Sequence, residues 1–261
     1  MNFFLPFIPE RTKKPREAGL TMVMDKGLSI REAENLIEVA SQYIDFIKLG
    51  FGTSYFTPRL KDKIKLYKEA GIKIYLGGTL LEAFIIRGCF KDYINLIKDL
   101  NIDTVEVSDG SMLMTIEEKV NYIKELSKDY LVLSEVGSKQ KGVVLSTEEW
   151  IEKIKNELTA GAWKVIAEAR ESGTVGIYHE NGTVKEDLIS CITKNVDVSK
   201  IIWEAPSSKQ QAYFIKHYGT NVNLGNIAVN DIIPLECLRC GLRGDTFFEF
   251  LPENLKKFQQ K

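Results

Sequence analysis

Three glutamates, Glu135, Glu168 and Glu204, each close a short run of β-branched and other apolar residues. A buried parallel strand is expected to be apolar throughout, so a carboxylate at its end needs a chemical reason. Carboxylates that meet in one place repel each other unless a cation compensates their charge. Mg²⁺ accepts such oxygen ligands together with water and substrate oxygens. We therefore predict that the three glutamates are ligands of Mg²⁺.

Two lysines are the candidate catalytic groups. Lys139 follows shortly after Glu135, and Lys48 closes another β-branched run. A partly desolvated ammonium group near a metal has a lowered pKa, so it can exchange a proton near neutral pH. For Lys139 the alternative is a solvated loop lysine, and Lys141 competes with it for the role. For the whole set, the alternative is a structural network in which the glutamates pair with Lys48, Lys139 and Arg170.

Two stretches of the chain carry groups suited to binding an anion. The stretch 168–173 supplies a guanidinium, a hydroxyl and flexible backbone. The stretch 223–227 precedes a predicted helix start, where unpaired N–H groups favour phosphate. An arginine near the C-terminus is a further candidate, although it is equally suited to contacting the exposed carbonyls at a helix end. The predicted phosphate-binding residues are Arg170, Ser172, Gly173, Asn223, Asn226 and Arg243.

Eight such β-branched runs recur along the chain, and most of them lead into an amphipathic helix. They end at Asp25, Lys48, Gly77, Ser108, Glu135, Glu168, Glu204 and Asn223. Capping boxes predict helix starts at Ser29 and Ser146, Pro58 suits the start of another helix, and a long helix is expected from near Thr79. The alternation of strand and helix predicts an α/β fold with a parallel sheet. Eight units, in a chain of 261 residues, predict a single (β/α)₈ TIM barrel, whose typical length is about 250 residues. A doubly wound open sheet is the alternative. We assign residues 1–18 to an N-terminal arm and residues 19–261 to the barrel.

The barrel prediction places the polar strand ends around one pocket, because the carboxyl ends of the strands form the floor of the active site in this fold. Side chains alternate across a strand. In the stretch 164–170 this alternation puts Glu168 and Arg170 on one face and small apolar residues on the other. We therefore expect Glu168 and Arg170 to point into the barrel, and the same parity applies to Glu135 and Glu204.

The composition excludes several classes of protein. Lys and Arg number 35 against 36 Asp and Glu, a formal charge of −1, which argues against a nucleic-acid partner. No stretch approaches the roughly 20 apolar residues needed to cross a bilayer. The apolar N-terminal stretch 3–9 is short, broken by prolines and without a basic segment before it, so we expect no signal peptide and a cytoplasmic location.

Motifs for other chemistries are absent from the sequence. There is no P-loop and no complete dinucleotide-binding glycine pattern. His179 and His217 do not lie at strand ends, so histidine triads and histidine zinc sites are not expected. Cys237 and Cys240 have CxxC spacing but lack a second pair, which favours a structural role over zinc. Unpaired cysteines agree with a reducing cytoplasm.

Several strand-end motifs, taken in order, resemble the phosphosulfolactate synthase family along nearly the whole chain. The opening stretch 11–17 resembles the bacterial branch of that family. The motifs lie at Tyr43–Ser54, Gly77–Leu80, Glu106–Gly110, Ser134–Lys139, Glu168–Gly173, Trp203–Pro206, Asn221–Ile227 and Leu242–Thr246. The resemblance departs slightly at Leu49 and Phe51.

The resemblance implies a (β/α)₈ lyase that uses Mg²⁺ to add sulfite to phosphoenolpyruvate, with phosphosulfolactate as the product. The product would lead to coenzyme M in archaea and to sulfolactate in bacteria. Lys139 matches the acid proposed for the family, whereas the glutamates as metal ligands follow only from the residues themselves. Two alternatives are open: a non-catalytic member of the kind associated with heat tolerance in plants, and an aldolase-type barrel that uses phosphoenolpyruvate. We also expect a homo-oligomer, with the apolar arm as one available surface.

Overall fold

Eight parallel strands form a nearly closed barrel in the computed structural model, which describes residues 2–137, 145–170 and 172–259. Backbone hydrogen bonds join the strands in the order β3-β2-β1-β8-β7-β6-β5-β4, and β3 and β4 lie side by side. The strands are β1 (Thr21–Asp25), β2 (Phe46–Leu49), β3 (Lys73–Leu76), β4 (Thr104–Val107), β5 (Leu131–Val136), β6 (Lys164–Ala167), β7 (Ile201–Glu204) and β8 (Leu224–Ala228). The predicted (β/α)₈ TIM barrel is confirmed.

Helices separate the strands and surround the barrel. They are α1 (Ile30–Ala40), α2 (Thr53–Phe56), α3 (Leu60–Glu69), α4 (Gly78–Ile85), α5 (Phe90–Asp99), α6 (Ile116–Leu126), α7 (Thr147–Thr159), α8 (Glu186–Asn195), α9 (Ser208–Tyr218), α10 (Ile232–Arg239) and α11 (Glu253–Lys256). The capping boxes predicted at Ser29 and Ser146 are both formed, with Glu32 and Glu149 reaching back to the cap backbone. Such a box satisfies two otherwise unpaired N–H groups and defines where the helix begins.

Two predicted helix boundaries differ from the structure. The long helix expected from Thr79 is divided into α4 and α5, because Gly88 takes a left-handed φ of 69° and ends the first segment. The helix expected to start at Pro58 begins at Leu60 instead, after Arg59 in a left-handed conformation. Short helices and turns therefore occupy more of the loops after β2 and β3 than the sequence pattern predicts.

The apolar core has two layers. The larger layer lies between the strands and the surrounding helices. The smaller layer fills the interior of the barrel and consists of Leu20, Met22, Met24, Phe46, Tyr75, Leu133, Ile166 and Ile202. Side chains of this kind make the barrel a packed core rather than a pore. Polar interior side chains are consequently concentrated near the carboxyl ends of the strands.

The N-terminal stretch is attached at the opposite, amino-terminal end of the strands. Arg11 forms an ion pair of 2.9 Å with Glu236 of α10. Arg16 forms one of 2.9 Å with Asp45, which lies just before β2. Phe3 and Phe4 remain exposed. Within the described part of the chain, no helix is both long and apolar enough to span a membrane.

Candidate active site

A cavity of about 660 Å³ opens at the carboxyl ends of the strands. Seven of the residues predicted from the sequence line it. They are Lys48, Glu135, Glu168, Arg170, Ser172, Glu204 and Asn226. They come from β2, β5, β7, β8 and the loop after β6. The side-chain parity inferred from the strand pattern therefore places these groups together, as expected.

Lys48 lies at the floor of this cavity and is almost fully buried. Its Nζ is 2.8 Å from Glu106 Oε2 and 3.1 Å from Glu135 Oε2. Burial by itself lowers the pKa of the Lys48 amine, but the neighbouring carboxylates of Glu106 and Glu135 outweigh burial and raise the pKa well above its usual value. Lys48 is thus a permanent positive charge in the site rather than a group that exchanges a proton near pH 7.

Glu106 belongs to the site although it was not among the predicted site residues. It is fully buried, and its Oε1 accepts a 2.7 Å hydrogen bond from the backbone N–H of Gly78 at the start of α4. It therefore connects Lys48 to the beginning of that helix. An interior-facing carboxylate on β4, one residue before the strand end, is the sequence signal that could have identified it.

Side chains from β7, from β8 and from the residue directly after β6 meet around the backbone that follows β6. The Ala169 N–H donates to Glu204 Oε2 at 3.0 Å, and the Arg170 N–H donates to Glu168 Oε1 at 2.5 Å. The Asn226 amide donates to the Arg170 carbonyl at 3.0 Å. The guanidinium of Arg170 is exposed and lines the cavity. Glu168, Glu204 and Asn226 thus hold the backbone that presents Arg170.

The loop after Arg170 contributes one hydroxyl to the cavity. Ser172 Oγ lies 2.7 Å from Thr174 Oγ1 and lines the cavity. Gly173 is buried behind it, with a φ of 61°, and its carbonyl accepts a 2.8 Å hydrogen bond from the Gln210 side chain. A Cβ at position 173 would lie 2.6 Å from that side chain. Gly173 therefore shapes the loop, and its binding of phosphate stays a prediction.

Two predicted phosphate ligands lie elsewhere. Asn223 directly precedes β8, so it lies at the amino-terminal end of the strands. There its side chain accepts from the Leu20 N–H and donates to the Ser199 and Ile201 carbonyls. Arg243 follows α10 and forms an ion pair of 3.2 Å with Asp245, away from the cavity. Neither residue lines the cavity. For Asn223, the β-branched run does not reveal at which end of the strand a polar neighbour lies.

The magnesium site stays a prediction, and its three predicted ligands Glu135, Glu168 and Glu204 all line the cavity. Within residues 2–137, 145–170 and 172–259, no group of three or more His, Cys, Asp or Glu side chains is arranged to hold a metal. Glu135 is instead an ion-pair partner of Lys48. Mg²⁺ is usually held by one or two carboxylates and completed by water and substrate oxygens. Glu168 and Glu204 are buried carboxylates that line the cavity, and their oxygens are of the kind that such a site needs.

The predicted catalytic lysine Lys139 and its competitor Lys141 lie outside the described residues. Behind β5, however, the structure shows how the end of that strand is held. Lys119 of α6 is buried and donates to the Glu135 carbonyl at 2.6 Å. It also forms ion pairs of 2.8 Å with Asp109 and 2.9 Å with Glu157. This network joins the loop after β4 to the end of β5 and to α7.

Solved structures with the same fold belong to several unrelated enzymes. 3-Hexulose-6-phosphate synthase from Salmonella typhimurium aligns with a TM-score of 0.53 at 14% identity, covering 86% of this chain and all of that chain. A putative fructose-1,6-bisphosphate aldolase from Coccidioides immitis aligns with a TM-score of 0.54 at 12% identity, covering 89% of this chain and 94% of that chain. Identities this low show the barrel fold alone.

Curated relatives are more informative. Phosphosulfolactate synthase of Bacillus subtilis is 43% identical over 251 residues, which is 95% of this chain and all of the relative. The phosphosulfolactate synthase of Methanocaldococcus jannaschii is 45% identical over 237 residues, covering 88% and 94% of the two chains. Protein HEAT-STRESS-ASSOCIATED 32 of Arabidopsis thaliana is 24% identical and covers 88% of both chains.

The family model described as (2R)-phospho-3-sulfolactate synthase (ComA) matches residues 9–245. That match includes every residue that lines the cavity. Together with the identity to the bacterial and archaeal synthases, it shows that the chain belongs to the (2R)-phospho-3-sulfolactate synthase family.

Proposed function

We propose that the chain adds sulfite to phosphoenolpyruvate and releases (2R)-phospho-3-sulfolactate. Its family membership supports this activity. The observation that carries the proposal is a cavity at the carboxyl ends of the barrel strands, lined by the cations Lys48 and Arg170 and by four glutamates. Phosphoenolpyruvate carries a phosphate and a carboxylate, so a site that binds it needs positive charge at both groups.

The reaction forms one bond and needs one proton. The sulfur lone pair of sulfite attacks the terminal CH₂ carbon of phosphoenolpyruvate, and a C–S bond forms. The π electrons of the double bond move toward the substrate carboxylate, which becomes an enediolate. A proton then adds to the carbon that carries the phosphate, and the carboxylate is restored. No group leaves, and no oxidant or reductant is required.

We assign Lys48 to the stabilisation of the charge that develops. Its pKa lies well above the usual value, so it remains an ammonium group throughout the physiological pH range. A positive charge that is already oriented in a buried site stabilises developing negative charge without reorganisation. Arg170 and Ser172 lie at the cavity on the loop after β6, and we assign them to the phosphate, because a guanidinium can hold a phosphate through two parallel hydrogen bonds.

We assign Mg²⁺ to Glu168 and Glu204, because Lys48 contacts Glu106 and Glu135. When bound, Mg²⁺ would supply further positive charge to oxygens of the substrate carboxylate. The proton donor we propose is Lys139, on the basis of the family resemblance and of its place after Glu135. β5 ends at Val136, three residues before Lys139 in the sequence, and Glu135 of that strand lines the cavity.

We propose a cytoplasmic homo-oligomer as the form of the enzyme. The four cysteines are all free thiols, which agrees with a reducing compartment. The exposed aromatic residues Phe3 and Phe4 offer an apolar surface for association. Exposed apolar patches of this kind often mark protein–protein contacts.

The test is product formation by the purified protein. Phosphoenolpyruvate, sulfite and Mg²⁺ are incubated with the enzyme, and phosphosulfolactate is followed by mass spectrometry. Arg170→Ala is expected to lower the rate of product formation at subsaturating phosphoenolpyruvate at least tenfold through weaker binding, whereas Arg243→Ala is the matched control and should retain the rate. Replacing sulfite by an aldehyde tests the aldolase alternative. Failure to form phosphosulfolactate with any divalent metal would overturn the proposal and favour the non-catalytic alternative.

A further inference from the structure

Two residues at the cavity have an unusual backbone conformation. Arg170 and Asn226 both take a φ of 56°, in the left-handed region. Residues other than glycine rarely adopt this region, and when they do so at a cavity the surrounding structure must hold them there. The two residues are also in direct contact, since the Asn226 side chain donates to the Arg170 carbonyl at 3.0 Å.

Hydrogen bonds to the peptide groups before and after the Arg170 Cα hold this conformation. On the amino side, the N–H groups of Ala169 and Arg170 donate to Glu204 and Glu168. On the carboxyl side, the Arg170 carbonyl accepts from Asn226. The Asn226 amide also lies 3.5 Å from Glu204 Oε2, so one side chain on β8 reaches both the peptide and the carboxylate that supports it. The Arg170 side chain itself is exposed.

The direction of the Arg170 side chain therefore depends on its backbone. An exposed guanidinium on a long chain has many rotamers, and its aim is limited mainly by where the Cα–Cβ bond points. If the carbonyl of Arg170 is released, the residue can leave the left-handed region, and the Cα–Cβ bond turns away from the cavity. Two donors restrain that carbonyl: the Asn226 side-chain amide at 3.0 Å and, from within the same loop, the Gly173 N–H at 3.2 Å. The Asn226 amide is the one that ties the carbonyl to β8.

We propose that Asn226 is a positioning residue that acts through Arg170, and that it is not itself a ligand of the substrate phosphate. This inference rests on the proposed binding of phosphoenolpyruvate at this cavity. It replaces the role in phosphate binding predicted for Asn226 from the sequence. The expected signature is weaker binding of phosphoenolpyruvate with little change in the rate constant of the bound complex, because Asn226 does not contact the reacting carbons.

The test is a double-mutant cycle of Asn226→Gly and Arg170→Ala. Glycine accepts a φ of 56° without strain, so Asn226→Gly removes the amide and leaves the backbone free to keep its conformation. We measure the Kd of phosphoenolpyruvate by calorimetry, and KM and kcat by product formation. Asn101→Gly is the matched control, since Asn101 is also an asparagine in the left-handed region, with a φ of 52°, between α5 and β4.

Asn226→Gly is expected to raise the Kd and the KM for phosphoenolpyruvate about tenfold, with kcat within about threefold. In the Arg170→Ala background the same change should have no further effect, because the side chain that Asn226 orients is gone. Asn101→Gly should match the wild type. Asn226→Asp is the second variant, for use if Asn226→Gly does not fold. It keeps the shape of the side chain but cannot donate a hydrogen bond, so it should show the same loss of binding.

Two results would overturn the inference. If the two substitutions multiply their effects on the Kd in the double variant, Asn226 acts on the ligand independently of Arg170. If the Kd is unchanged in both Asn226→Gly and Asn226→Asp, the contact with Arg170 does not affect binding. If the wild type binds phosphoenolpyruvate and the cycle behaves as expected but no phosphosulfolactate forms, only the proposed function fails. If the wild type does not bind phosphoenolpyruvate, both fail.

Discussion

Lys48 shows how one buried side chain can depend on its partners. Its ammonium group lies between Glu106 and Glu135, at 2.8 and 3.1 Å, and all three side chains are nearly inaccessible to solvent. Replacing every member of a buried ion pair by apolar side chains often changes protein stability little. Replacing only one member destabilises the protein strongly, because the remaining charge is buried without compensation. The stability of the site is therefore most sensitive to changes that remove Lys48 alone.

Lys48→Met is expected to lower the free energy of unfolding by about 3 kcal/mol at pH 7.5. Without the cation, the folded state favours protonated Glu106 and Glu135, so their pKa values in the variant rise above those of the unfolded chain. The folded variant then binds more protons than the unfolded one, and its stability increases as the pH falls. Urea unfolding at pH 7.5 and pH 5.5 measures the free energy of unfolding of the wild type and the variant. The control is Lys61→Met, which breaks an exposed pair with Asp99. It should change the free energy of unfolding by less than about 0.5 kcal/mol. Equal losses of unfolding free energy in the two variants would contradict the prediction.

Substitution of Lys139 tests whether this residue is the proton donor. Lys139→Ala is expected to abolish turnover while the protein stays folded, because it removes the proposed proton donor but no group from the described core. Product formation and thermal unfolding of the variant are measured in parallel, with Lys141→Ala as the control for its neighbour and competitor. Unchanged turnover in Lys139→Ala would remove Lys139 from the mechanism, and loss confined to Lys141→Ala would transfer the role.

At the scale of secondary-structure elements, the ion pairs behind β5 hold several parts of the barrel together. Lys119 of α6 contacts Asp109 after β4, Glu157 of α7 and the Glu135 carbonyl. Asp109 also pairs with Lys153 of α7 at 2.9 Å. Burial alone would raise the pKa of the Asp109 carboxyl, but Lys119 and Lys153 outweigh it and hold the pKa below its usual value.

Asp109→Asn is expected to destabilise the protein by about 3 kcal/mol at pH 7, because it leaves two lysines without their shared carboxylate. A carboxyl whose pKa is lowered by folding contributes stability above its unfolded pKa, about 3.9. That contribution is lost as the pH falls through the lower folded pKa. The difference between wild type and Asp109→Asn should therefore shrink between pH 5 and pH 3, as followed by urea unfolding. Asp99→Asn, from an exposed pair, is the control, and a difference that stays constant with pH would refute the prediction.

At the scale of the whole molecule, the two ends of the barrel carry different structures. The carboxyl ends of the strands surround the cavity, and the N-terminal stretch is attached to the amino-terminal ends through Arg11 and Arg16. Phe3 and Phe4 are left exposed beyond these contacts. A surface for association at that end would leave the cavity open, so that activity and assembly can be separated by substitution.

The combined change Phe3→Ser and Phe4→Ser is expected to weaken self-association without loss of product formation. The apolar area that the two rings would bury is removed, while the cavity lies at the other end of the barrel. Size-exclusion chromatography with light scattering gives the mass of wild type and variant at micromolar concentrations. A wild type that is monomeric under these conditions, or a variant with the mass of the wild type, would show that these residues do not support association.

Two features could be predicted from the sequence alone: the number of strands, and the face on which Glu135, Glu168 and Glu204 lie. Both follow from local periodicity, because a strand alternates with period two wherever it is placed. The boundaries were less predictable. Gly88 divides an expected helix into α4 and α5, since the left-handed turn competes with an apolar pattern that continues across it.

The tertiary structure decided which of these groups touch each other. The pairing of Lys48 with both Glu106 and Glu135, the place of Asn223 at the opposite end of the barrel and the contact of Asn226 with Arg170 join residues distant in sequence. Alternation gives the direction of a side chain but not its depth along the barrel axis or the neighbour it meets. Those depend on strand register and on closure of the sheet, which no local pattern contains.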